Sequence, residues 1–171
     1  MECKPECADL MTDSNRVQHS DAVSTAWQFT EQVPHGRDLG MQVVSVNGNQ
    51  VCMRLTPESW MFAEDSSEEI CTSVLYSLAD SASGLAVFAE ARELSPTATL
   101  DLRMDYLRPA IGDRALLAVA ICRQLTDEVA FIHCDILSEG DSALLATANA
   151  TFMRNTQGQQ FHAGGRAKEG A

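Results

Sequence analysis

The chain is 171 residues long with 45% apolar content, enough to bury one sizeable core and, on ordinary domain sizes, to form one domain. Twelve Lys and Arg against 24 Asp and Glu give a formal charge of −12. That balance repels phosphate backbones and anionic lipid and supplies no basic stripe, so nucleic-acid and membrane partners are not expected, and any phosphate-bearing ligand needs a few local Arg side chains.

The chain opens with MetGluCysLysProGluCys, which carries acids where a secretory leader carries cations, and no continuous apolar segment follows; the reading is a cytoplasmic protein. Six cysteines at 3, 7, 52, 71, 122 and 134 form no CxxC pair. Cys52, Cys122 and Cys134 fall in apolar strand-like runs and read as small buried hydrophobes. Cys3 and Cys7 lack a following Cys or His pair, so no metal site is expected, and no cofactor. Residues 1–20 and 155–171 are polar and turn-rich and read as flexible ends, leaving 21–154 as the domain. Val23, Ala26, Trp27 and Phe29 suggest a short leading helix over 21–32 that stops before Pro34, with His35 in the following loop.

Apolar runs at 39–46 and 51–55 flank AsnGlyAsn, a strong hairpin signal. Residues 70–89 then read as one long helix, too polar at Thr72, Ser73, Ser77, Asp80, Ser81 and Ser83 to span a membrane. Over 97–108, Leu100, Leu102, Met104 and Tyr106 alternate with Asp101, Arg103 and Asp105, the pattern of a half-buried strand. Residues 114–123 are apolar on both faces, as in an interior strand, and 129–137 and 142–154 are joined by GluGlyAsp, a second hairpin signal. A hairpin, one long helix and a four-stranded meander have few ways to share a core. The fold class is α+β: an antiparallel curved sheet of about six strands wrapped around one long central helix, the hotdog architecture, whose exposed sheet edges invite a second copy of the chain.

Ile70, Val74, Leu75, Leu78, Ala82, Leu85 and Ala89 make an apolar stripe for the sheet. Away from it lies Asp80, the only charge between Glu69 and Glu90, beside Ser73, Tyr76, Ser77, Ser83 and Gly84. Nearly all of these are small, which allows a backbone or ligand to come close, whereas a solvated helix face would carry Lys, Glu, Arg or Gln. An isolated acid against such a surface is a candidate for chemistry; its alternative role is to bond neighbouring hydroxyls in a purely structural network.

LeuAlaAspSerAlaSerGlyLeuAlaVal at 78–87 and ThrLeuAspLeuArgMetAspTyrLeuArgProAla at 99–110 resemble the PaaI-like acyl-CoA thioesterases of the hotdog superfamily, and looser likeness runs over about 30–154. The resemblance implies thioester hydrolysis in a homodimer or homotetramer with an acyl-CoA substrate. It implies Asp80 as nucleophile or general base and Thr99 as the hydroxyl that assists it. Where the family carries His-Gly-Gly, this chain has Cys71-Thr72-Ser73, which leaves the Thr72 N–H as the oxyanion donor and implies weakened turnover. Cys71 and Asp80 are nine residues apart, about 13 Å along one helix, so a site using both ends needs two subunits. His35, Cys71, Ser73, Ser77, Arg108 and Arg123 are the candidates for substrate contact, with Arg114 a further candidate for coenzyme A phosphates.

Three other readings stay open. The chain is a non-catalytic acyl-CoA-binding or assembly protein that lost hydrolysis with the His-Gly-Gly element. As a hotdog dehydratase it would need a catalytic His, for which His19, His35, His133 and His162 are poor candidates. Cys71, a thiol at a helix start, could be a nucleophile, but Glu68 and Glu69 oppose a thiolate there.

Overall fold

The computed structural model describes residues 33–64, 67–93, 95–140 and 143–156. The expected leading helix, both polar ends, Cys3, Cys7, His19 and His162 lie outside the described residues. Within them the order is α1 (Pro34–Asp38), β1 (Gln42–Asn47), β2 (Gln50–Leu55), a 3₁₀ turn at Ser59–Met61, α2 (Thr72–Ala91), β3 (Ala98–Tyr106), β4 (Leu116–Leu125), β5 (Val129–Ser138) and β6 (Leu144–Met153). His35 is therefore not in a loop: Pro34, whose ring presets a helical φ and whose missing N–H is no loss at a helix start, opens the short α1 that carries it.

The six strands form one antiparallel sheet in the order β1-β2-β4-β5-β6-β3. Gly48 at φ 59° turns the first hairpin, and Gly140 at φ 93° takes part in the β5–β6 connection. Three of the last four strands make the expected meander; β3 does not. It follows α2 to the far side of the sheet and pairs with β6, so the chain returns across the fold to lay β4 beside β2. β3 is thus an edge strand. Interior β4 is buried on both faces as its sequence requires, with Leu116, Ala118 and Ala120 in the main core and Leu117 and Val119 in a second cluster with Cys52 and Leu137. Arg54 on β2 grips Glu139 through Nε at 3.0 Å and a second nitrogen at 2.9 Å, and this bond holds the guanidinium above its ordinary pKa.

α2 is rich in Ala, Leu and Ser and free of Pro across its 20 residues. Two backbone bonds fix its entry: the Ile70 N–H donates to the Ala110 carbonyl and the Cys71 N–H to the Met61 carbonyl, each at 2.8 Å. Arg92, left-handed at φ 55°, ends it. The apolar stripe meets the sheet as expected, and burial extends past it to Ala79, Ser83, Ala86 and Val87. Ser83 accordingly belongs to the core and not to the Asp80 face. It lies by Cys134, whose thiol burial pushes up to about 12, with Asp135 adding to the rise and Ser83 opposing it. Burial likewise raises Cys122 to about 11. Among the described residues no helix is long and apolar enough to cross a membrane.

Candidate active site

α2 presents Asp80 half-buried at its middle, facing the strand that follows it in sequence. The Thr99 hydroxyl donates to Asp80 Oδ1 at 2.8 Å. Simple alternation along β3 would send Thr99 to the outer face with Asp101, and it is a bulge that brings it inward. Thr99 stands opposite Phe152 and Asp101 opposite Thr151, leaving Leu100 as the extra residue. The expected inward stripe is corrected at the same point: Leu102 and Met104 pack inward, whereas Leu100 is 51% exposed and Tyr106 46%.

Asp80, Ser81, Thr97 and Thr99 line a cavity of about 210 Å³ whose remaining walls are almost wholly apolar. Met41 and Met53 come from the first hairpin and its approach, Phe88 from two turns farther along α2, and Phe152 from β6. Gly36 and Gly84 form parts of the wall without a side chain. An acid bonded by a hydroxyl at an apolar cavity is a chemical arrangement: the carboxylate can take a proton from water or attack a carbonyl, and the cavity can hold the apolar group attached to that carbonyl.

The other sequence candidates fall elsewhere. His35 and Ser77 meet, His35 Nε2 lying 3.1 Å from Ser77 Oγ one turn before Asp80. Cys71 takes the N-cap position of α2, where the Ser73 hydroxyl and then the Ser73 and Thr72 amides draw its thiol below its ordinary pKa against a smaller opposing effect of burial. Thr72 occupies the first turn and its carbonyl accepts a 3.4 Å bond from the Tyr106 hydroxyl. Eight residues along the helix put it about 12 Å from Asp80 along the axis, so one protomer does not bring the two together. Arg108 follows β3 and Arg123 occupies a bulge in β4; both are exposed and neither lines the cavity. Gly84 stood near Asp80 by helical spacing, but Met41, Met53, Phe88 and Phe152 carry no local signal because four separate elements or connections deliver them to the cavity.

The family model described as the thioesterase superfamily matches residues 72–145, from the start of α2 into β6. Among solved structures, PaaI from the E. coli phenylacetic acid degradation operon matches with a TM-score of 0.67 at 20% identity, over 78% of this chain and 95% of that one. A mutant of the phenylacetic acid degradation protein PaaI from Thermus thermophilus matches with a TM-score of 0.62 at 26% identity, over 71% and 98%. The chain has the hotdog fold and is similar to PaaI proteins, and from α2 into β6 it matches the thioesterase superfamily. A hypothetical thioesterase from Streptococcus pneumoniae, solved with coenzyme A, shares the fold with a TM-score of 0.60 at 17% identity, over 67% of this chain and 84% of that one. No curated protein matches the sequence. The segment matched by the family model includes both halves of the Asp80–Thr99 pair.

Proposed function

We propose that this chain hydrolyses acyl-CoA thioesters. The observation that carries the reading is the 2.8 Å bond between Thr99 and Asp80 beside an apolar cavity, because it supplies an oriented carboxylate where an acyl carbonyl would lie. As general base, Asp80 takes a proton from water while the oxygen attacks the thioester carbon. The tetrahedral oxyanion then collapses, the C–S bond breaks, and the proton returns to the coenzyme A sulfur. As nucleophile, the Asp80 carboxylate attacks the thioester carbon, the C–S bond breaks to release the coenzyme A thiolate, and water opens the resulting anhydride to give the free acid and restore the carboxylate. Thr99 orients the acid in either course.

The oxyanion is assigned to the Thr72 N–H of a second copy. β3 lies at the sheet edge with Leu100 and Leu107 exposed at 51% and 53%, which supports a dimer formed along it. Arg108 and Arg123 are assigned to coenzyme A phosphates, since both are exposed cations in an otherwise acidic chain.

The test is free-thiol release from a panel of acyl-CoAs. Wild type turns over at least one of them, and Asp80→Asn lowers kcat/KM by about 10²- to 10⁴-fold, the usual weight of a positioned acid or base, while keeping its melting midpoint. Equal turnover by the variant rejects the role of Asp80. Tight acyl-CoA binding without turnover transfers the chain to the non-catalytic reading, which the absence of His-Gly-Gly at residues 71–73 favours.

A further inference from the structure

We propose that Gly84 sets the acyl-length limit of this protein, and that its substrates carry an apolar acyl group of up to about eight carbons; the inference rests on reading the cavity beside Asp80 as the acyl pocket. Gly84 lies one turn beyond Asp80 on the same side of α2, is buried, and lines the cavity. In the interior of a 20-residue helix Gly is a poorer choice than Ala, because it loses more backbone freedom on folding.

Two structural causes ordinarily keep a glycine in such a place, a left-handed backbone or a neighbour that leaves no room for Cβ. Neither applies. Gly84 is absent from the positive-φ residues, and a Cβ built on it would meet only Phe152 Cε1 at 3.6 Å, an ordinary contact. Gly112 shows the contrary case, since a Cβ there would lie 2.1 Å from the Phe62 ring. What the missing methyl at Gly84 leaves is space along the cavity between Asp80 and Phe88, which lie on the same row of the helix. An apolar cavity of about 150 Å³ accepts benzene, so the 210 Å³ bounded by this chain's own walls has room for about eight carbons, and each added methyl removes about one of them. Phe88 and Phe152 are the bulkiest of the lining side chains, and the proposal places the end of the pocket at them.

The experiment compares wild type, Gly84→Ala and Gly84→Val on straight-chain acyl-CoAs of two to sixteen carbons, together with their melting midpoints. In wild type kcat/KM rises with length to about eight carbons and then falls. In Gly84→Ala the ratio of kcat/KM for octanoyl- to butyryl-CoA drops at least tenfold, the usual value of one methylene in a tight pocket, while the melting midpoint rises by roughly 2–4 °C. Gly84→Val moves the optimum about three carbons shorter; if it fails to fold, the Ala variant decides alone. Unchanged length profiles in the variants, or a wild type that hydrolyses palmitoyl-CoA as well as octanoyl-CoA, overturn the inference and leave the hydrolytic reading standing. If wild type hydrolyses none of the series, that reading fails, and calorimetric titration with the same acyl-CoAs decides. Affinity that climbs to about eight carbons in wild type and stops earlier in Gly84→Ala supports the length limit, whereas affinity independent of chain length, or no binding, overturns it.

Discussion

The middle and the start of α2 differ in completeness. Around Asp80 one protomer supplies an acid, a hydroxyl bonded to it and an apolar cavity. Around Cys71 and Thr72 it supplies a thiol at the helix entrance, exposed Thr72 and Ser73 side chains, and Ser73 and Thr72 amides that help lower that thiol's pKa. About 12 Å of helix separates Asp80 from Thr72. The difference teaches that, on the proposed reading, a single chain folds the acid half of the centre, and the oxyanion half is assigned to a second copy.

After Asp80→Asn, the largest effect comes from preventing a second copy from docking on β3. Leu100→Lys on β3 combined with Leu107→Lys just after it places charge along the exposed sheet edge, and sedimentation is expected to show a monomer. Acyl-CoA turnover then falls about 10²- to 10³-fold, the usual value of a lost oxyanion donor, and a fully active monomer refutes the two-copy site. A smaller effect isolates the complete half. Thr99→Val removes the bond to Asp80 at nearly constant volume and lowers kcat/KM roughly tenfold, about the worth of one hydrogen bond to a charged group, while Thr99→Ser restores most of it. If Val and Ser variants behave alike, the hydroxyl is not what orients the acid.

The smallest effect probes the open half without altering it. Iodoacetamide followed by peptide mapping is expected to label Cys71 and to spare native Cys122 and Cys134, which are buried with thiols raised to about 11 and about 12. Because the Cys71 thiol is held below its ordinary value, its thiolate fraction and labelling rate reach their plateau at a lower pH than a free thiol's. Labelling that tracks a free cysteine across pH shows that the helix start does not polarise what sits on it.

Much of this was legible in the residues themselves. The neutral run broken by Asp80 marked the central helix and singled out the acid that lines the cavity, and the doubly apolar 114–123 segment marked an interior strand. The placement of β3 was not legible, since its partner β6 lies some fifty residues away and adjacent strands in sequence ordinarily pair. Thr99 was named through a family resemblance; alternation alone pointed it outward. The cavity walls were hidden for a related reason. Met41, Met53, Phe88 and Phe152 are common core residues, and only the assembled sheet brings them to one place.

The irregularity in β3 has a consequence for how such a protein changes over time. In an unbroken ladder Leu100 would stand opposite Phe152, and the acid on α2 would meet a hydrocarbon branch where it now meets an oxygen. The companion of Asp80 is thus chosen by parity, by how many residues the strand inserts before rejoining its neighbour. Deletion of one residue at the bulge, Thr99, would exchange the polar companion of Asp80 for an apolar one with both flanking strands otherwise intact.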